Sequence, residues 1–230
     1  MAKIGRELGI PLIMDNTAAP ILCRPFEHGA AVIVYSTTKY IGGHGTSIGG
    51  LLVDGGNFPW QNHAERQPAL NQPDPSYHGA VWVKAVEPIG PVAYIIKART
   101  TLLRDLGSAF SPFNAFQVIL GLETLPLRMR EHCSNAQRVA DFLSKHASVT
   151  NVIYPGIQDV IHKANADKYL SGGYGGRSCP PCKGKSGRGH RRSPSWSLEV
   201  VWHRCQCSYY SMPCKTMQAR LRSVGSRAPP

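Results

Sequence analysis

Three compact apolar runs stand out in the first quarter of the chain: Ile10 to Met14, Ala30 to Tyr35 and Leu51 to Val53. Each is short, nearly continuous rather than alternating, and closed by polar or turn-forming residues. Asp15 follows the first, Ser36-Thr37-Thr38-Lys39 the second, and Asp54-Gly55-Gly56 the third. Short segments that are apolar at almost every position suit strands covered on both faces, so the pattern predicts a parallel sheet. Pro11 is tolerable so close to the start of a strand. Residues 2–9 predict a short helix capped by Gly9. The stretch 16–29 is long enough for a crossover containing a short helix. These elements read as the middle of an open α/β sheet.

Residues 55–80 are rich in Gly, Pro, Asn and Gln and predict a long loop, a feature that is usually functional in a compact domain. Residues 81–106 predict helix in two pieces, broken around Pro88 to Pro91. From Pro112 the positions Phe113, Phe116, Ile119, Leu120 and Leu122 form a helical stripe. A second stripe restarts after Pro126 with Met129, Cys133, Val139 and Leu143. Val149 to Tyr154 predicts a last strand, stopped by Pro155-Gly156. Beyond Gly176 no amphipathic period survives, and no internal repeat is found.

Charge divides the chain at the same place. Of 26 Lys and Arg, eleven lie in 177–230 against the single acid Glu199, which leaves fifteen bases and thirteen acids in 1–176. Most of the net charge of +12 therefore belongs to the tail. Five of the seven cysteines do as well: Cys179, Cys182, Cys205, Cys207 and Cys214. Cys23 and Cys133 read as small buried hydrophobes. The 42% hydrophobic and 17% charged composition is that of a folded domain rather than a disordered chain. With no run of eighteen apolar residues and no long apolar N-terminal stretch, the expected location is the cytoplasm, away from membranes.

Asp15 and the Ser36–Lys39 group both sit at the carboxyl ends of predicted parallel strands, where open α/β sheets bind ligands. A lysine amine can bond to an aldehyde cofactor and carry protons. A carboxylate beside a pyridine nitrogen keeps it protonated, and hydroxyls with backbone N–H groups suit a phosphate. Gly42, Gly43 and Gly45 would let the backbone pass close to a ligand. Taken as a pattern this is equally compatible with a strand-end cap and an ordinary exposed connection. His44, in the glycine-rich stretch, reads as structural or as a ligand contact. Trp60 and Tyr77 read as loop packing or as part of a substrate entrance.

The stretch D-N-T-A-A-P-I-L-C-R-P-F-E-H-G-A (15–30), running on to Y-S-T-T-K-Y-I-G-G-H-G-T-S-I-G-G (35–50), resembles the signature region of the Cys/Met-metabolism family of pyridoxal-phosphate enzymes. Within that family, D-G-G-N-F-P-W (54–60) and L-R-D-L-G-S-A-F-S-P-F-N-A-F-Q-V-I-L-G-L-E-T-L-P-L-R-M (103–129) are most similar to O-acetylhomoserine sulfhydrylases. The resemblance covers about residues 4–176. It implies an α/β, aspartate-aminotransferase-like (type I) pyridoxal-phosphate-dependent transferase. Residues 1–112 would be part of the cofactor-binding large domain, and 113–176 a linking helix and the start of the small C-terminal domain.

The same resemblance implies the chemistry. Lys39 matches the lysine that binds pyridoxal 5'-phosphate covalently, Asp15 the acid at the pyridine nitrogen, and Ser36 and Thr38 the hydroxyls at the phosphate. The implied reaction is γ-replacement on O-acetyl-L-homoserine by sulfide or a thiol, giving homocysteine or methionine plus acetate. The relatives cystathionine γ-synthase and methionine γ-lyase remain open, as does a catalytically inactive fragment. A homo-oligomer of the tetramer-of-dimers type is implied. No metal, membrane or specific nucleic acid is expected.

Ala31 stands where the family usually has Asp, and Tyr35 where His is common, adding bulk near the site. Enzymes of this family are nearly twice as long. The portion that supplies their ring-stacking aromatic, their phosphate loop, and a Tyr and Arg lent to the neighbouring subunit has no counterpart here. Their substrate-carboxylate Arg is expected beyond residue 176, where no arginine aligns. Residues 177–230 read as a non-homologous basic tail, rich in Cys, Pro and Arg, that is disordered or frameshifted. A zinc site is the competing reading, but the C-x-C spacing of Cys205 and Cys207 gives Cys179-x-x-Cys182 no clean partner pair. Weak, nonspecific attraction to nucleic acid is what its charge alone would give.

Overall fold

The computed structural model describes residues 1–147, 149–157 and 160–176; the tail reading, with its five cysteines, lies outside the described residues. The chain divides into two compact units. One comprises Met1–Gly42 with Ser47–Leu122, and the other comprises Gly43–Thr46 with the chain from Glu123 onward.

The first unit opens with α1 (Ala2–Glu7), after which Gly9 takes a positive φ, as the sequence predicts for a helix terminus. Strands β1 (Ile13–Asp15), β2 (Val32–Ser36) and β3 (Gly50–Asp54) form a sheet in that spatial order. β1 and β2 are parallel, with Ile13 opposite Val32 and Asp15 opposite Val34. The crossover between them holds one 3-10 turn, Pro25–His28. β3 departs from the parallel expectation: it runs antiparallel to β2, from Ser36 opposite Gly50 to Val32 opposite Asp54. An apolar run carries no direction, and the direction here follows from the connection. A parallel return needs a crossover back to the far end of the sheet. Residues 37–49 hold no helix and bring the chain back at the end where β2 stops.

Val32 and Ile33 are buried at the sheet centre, whereas all three residues of the edge strand β1 are exposed. The predicted loop 55–80 is punctuated by α2 (Pro68–Asn71) and a 3-10 turn at Pro75–Tyr77. It is followed by α3 (Trp82–Ala85), a 3-10 turn at Glu87–Ile89, and one continuous helical stretch. That stretch comprises α4 (Ala93–Lys97), a π-helical segment (Ala98–Leu103) and α5 (Arg104–Leu106). Phe58, Trp60, Leu70, Trp82, Val86 and Ala93 bury against Ala31 and Val32 as the core of this unit, with Tyr77 packed on it. Trp60 stacks on Tyr94 with ring centroids 5.3 Å apart. Core packing thus accounts for both Trp60 and Tyr77.

Helix α6 (Pro112–Glu123) forms where its stripe predicts, but the stripe is not buried. Phe113, Phe116, Ile119, Leu120 and Leu122 are exposed, and Gly121 is the buried residue of the helix.

In the second unit, α7 (Leu125–Ser144) turns Ala136, Ala140 and Leu143 toward Val152 and Tyr154. The strand expected over 149–154 does not form; Val149 and Ile153 are isolated bridge residues. Val152 and Tyr154 still alternate inward and pack on α7. A 3-10 turn at Pro155–Ile157 and α8 (Val160–Tyr169) follow. No helix among the described residues is long and apolar enough to cross a membrane.

Candidate functional site

Neighbouring residues on parallel strands point to the same face, and residues two apart along a strand share a face. Asp15 pairs with Val34, so Asp15, Val34 and Ser36 lie on one face of the sheet at the carboxyl ends of β1 and β2. Tyr35 lies on the opposite face. Its hydroxyl accepts a hydrogen bond from Asn16 Nδ2 at 3.1 Å, so its bulk is directed away from Asp15 and Ser36 rather than into their site.

Short hydrogen bonds join the two strand ends. The Asp15 carboxylate accepts the Thr17 N–H at 2.9 Å, a turn typical of Asp two residues before its donor. Thr17 Oγ1 in turn accepts the Ser36 N–H at 2.7 Å. Asn16, which is buried, donates its backbone N–H to Val34 O at 3.0 Å. Thr17 therefore links the acid to the hydroxyl-lysine run. Sequence reasoning did not single it out, although the D-x-T spacing of a side-chain-capped turn was there to be read.

Beyond Ser36 the chain coils tightly around Lys39. Lys39 N–H donates to Ser36 O at 3.2 Å, and Gly42 N–H to Thr37 O at 2.8 Å. Thr37 N–H donates to Gly49 O at 3.0 Å, tying the start of the connection to its end. Thr38 Oγ1 accepts the Gly49 N–H at 3.0 Å, and its own proton finds only a long 3.4 Å contact with Gly49 O. Thr37 Oγ1 is buried with no hydrogen-bond partner. Such an orphan is uncommon in a folded interior. Lys39 itself is half-buried. His44 is exposed and belongs to the other unit.

These residues fit a ligand with an aldehyde, a ring nitrogen and a phosphate. A carboxylate and a hydroxyl share one face at the ends of two adjacent strands, and a lysine follows three residues on. The Thr38 hydroxyl is held by Gly49 from both sides, accepting its N–H at 3.0 Å and donating to its carbonyl over a longer 3.4 Å. Lys39, Asp15, Ser36 and Thr38 are thus the candidates to hold pyridoxal 5'-phosphate, were it bound here.

The fold that presents this arrangement is the aspartate-aminotransferase-like, type I fold of pyridoxal-phosphate-dependent transferases. Residues 1–176 match the Cys/Met metabolism PLP-dependent enzyme family, and the chain belongs to that family. It is 49% identical to an O-acetyl-L-homoserine sulfhydrylase of Leptospira meyeri over 175 residues, covering 74% of this chain and 39% of that protein. It is 45% identical to a homocysteine/cysteine synthase of Saccharomyces cerevisiae over 178 residues, 76% of this chain and 39% of that one. Among solved structures, a putative O-acetylhomoserine (thiol)-lyase of Campylobacter jejuni superposes with a TM-score of 0.72 at 37% identity. That superposition covers 79% of this chain and 45% of the other, whose structure contains N'-pyridoxyl-lysine-5'-monophosphate. The chain thus spans about two fifths of the length of the curated relatives it matches.

Proposed function

We propose that this chain carries the cofactor-lysine portion of a pyridoxal-phosphate-dependent sulfhydrylase. The reaction is replacement of the acetyl ester at Cγ of O-acetyl-L-homoserine by sulfide or a thiol, giving homocysteine or methionine plus acetate. One observation carries the reading. Asp15 and Ser36 share a sheet face at the carboxyl ends of a parallel strand pair, and Lys39 follows three residues on. The names of the relatives, O-acetyl-L-homoserine sulfhydrylase and homocysteine/cysteine synthase, support the substrate and the sulfur chemistry.

When bound, pyridoxal 5'-phosphate supplies an electron-withdrawing ring that stabilises negative charge developing on substrate carbon. Lys39 would hold the cofactor through its amine, and its free amine could move protons at Cα and Cβ of the substrate. Asp15 keeps the ring nitrogen protonated. Ser36 and Thr38 would orient the phosphate through their hydroxyls. Residues 1–112 form part of the large cofactor domain, and 113–176 the linking helix and the start of the small domain. The active assembly is a cytoplasmic homo-oligomer, as the resemblance implies.

The test is a visible absorption spectrum of the full chain mixed with pyridoxal 5'-phosphate, beside a Lys39→Ala control. A band that survives desalting and is missing from the control is the expected result. No Lys39-dependent band would reduce the family resemblance to descent. It would leave the second reading, an inactive piece of such an enzyme. That reading draws on two observations: the chain matches only two fifths of its relatives' length, and among the described residues its edge strand β1 is exposed.

A further inference from the structure

The one buried residue of α6 is a glycine, and it faces the lysine turn. A Cβ built on Gly121 would lie 2.3 Å from Gly42 O and 2.7 Å from Ile41 O. Both distances are closer than real Cβ atoms come, and both obstacles are backbone atoms that no side-chain rotation can move. One helical turn earlier on the same face, Gln117 Oε1 accepts a hydrogen bond from the buried Ser47 hydroxyl at 2.7 Å. Val118 extends this contact, since its Cγ2 lies 3.9 Å from the position of a Cβ on Gly42. Helix α6 thus rests on both arms of the connection between β2 and β3, at Ile41–Gly42 and at Ser47.

The contact reaches the lysine through few bonds. Gly42 N–H donates to Thr37 O, closing a turn of chain that contains Lys39, and a Cβ on Gly42 would itself come within 2.8 Å of Thr37 O. The turn therefore has no room to relax inward if α6 pushes on it. Thr37 N–H is in turn held by Gly49 O.

We propose that Gly121 is a positioning residue for Lys39: its missing side chain lets α6 set the depth of the turn that carries the lysine, with Gln117–Ser47 as the second anchor. The inference rests on the cofactor reading above. Reacting groups tolerate little displacement, and a shift of about 1 Å can cost about a hundredfold in rate.

The test measures pyridoxal 5'-phosphate affinity of the full chain by titrating the Lys39-dependent visible band, with far-ultraviolet circular dichroism recorded on the same samples. Gly121→Ala is expected to weaken binding about tenfold or more, by the same misplacement argument. Helix content should hold or rise, because alanine is the better helix former. Gln117→Leu should weaken the band as well, whereas Gln117→Glu, which keeps an acceptor for Ser47, should restore it. Ile119→Ala, on the exposed part of α6, should leave both readouts at wild-type values. Wild-type affinity in both Gly121→Ala and Gln117→Leu would overturn the inference while leaving the cofactor reading intact. Loss of helix content in both would also overturn it, since the effect would then be global. Absence of the band from the wild type would sink the cofactor reading and this inference with it.

Discussion

Asp74 draws donors from three elements of the first unit. Lys97 Nζ of α4 and Trp82 Nε1 of α3 reach Oδ2, while the Ser76 N–H and hydroxyl, in the adjoining turn, reach Oδ1. The Lys97 ammonium, followed by the Ser76 and Trp82 bonds, holds this buried carboxyl well below the usual carboxylate range. A group whose folded value is depressed stabilises the fold fully above its unfolded value, about 4 for Asp. That contribution fades as pH falls toward the lower folded value. Asp74→Asn should therefore lower the melting temperature by a constant amount from neutral pH down to about 4, and by progressively less below it. Melting curves of wild type and variant over that range decide the matter; a gap that does not narrow in acid would refute the ionic account. Asp74 went unread in the sequence because its partners converge only after a fold has formed. Lys39, Asp15, Ser36 and Thr38 could be picked out because a strand end places them together and because their stretch resembles a known signature. Thr17 and Thr37 act through closures set by strand register, which residue type alone does not disclose.

Among the elements, those with a strong local signal formed where the pattern put them. α6 and α7 follow their stripes, and the Pro88–Pro91 break separates α3 from α4. What local pattern could not carry was partnership. The run Leu51–Val53 is equally apolar in either direction, and only the helix-free connection 37–49 makes β3 antiparallel. The run Val149–Tyr154 has strand chemistry, yet among the described residues it pairs with no strand and instead packs on α7. That packing leads to a measurable result. Tyr154 is fully buried among Ala136, Ala140, Leu143 and Val152, and its hydroxyl donates to Gly175 O at 3.2 Å. Tyr154→Phe should cost about 1 kcal/mol, the usual net worth of one hydrogen bond. Tyr154→Ala should cost about 3–5 kcal/mol, the range for emptying a large aromatic site. Urea unfolding followed by fluorescence would separate the two. Equal, small losses would mean that Tyr154 is not the centre of this core.

At the scale of the molecule, the question is what the exposed apolar surface does in water. Ile13 and Met14 on the edge strand, Leu51 and Leu52 on β3, and Phe113, Phe116, Ile119 and Leu120 on α6 are all exposed. Among the described residues β1 is an exposed edge strand, whose outer backbone edge and apolar side chains are the combination that recruits another chain. Charge acts in the opposite direction, but unevenly. Residues 1–176 are nearly balanced at fifteen bases against thirteen acids, so they offer little repulsion between copies. Residues 177–230 hold eleven bases against one acid. Repulsion from that segment operates over about 10 Å at 0.1 M salt and shrinks to about 3 Å at 1 M, whereas apolar attraction is not screened. Self-association should therefore strengthen as salt rises. This is the reverse of what assembly through opposite charges would show. Size-exclusion chromatography with light scattering, run at low and high salt, reads this directly. Larger species at high salt, accompanied by binding of an apolar dye, are expected. A soluble monomer that melts cooperatively at both salt concentrations would mean that these surfaces are covered within the chain itself.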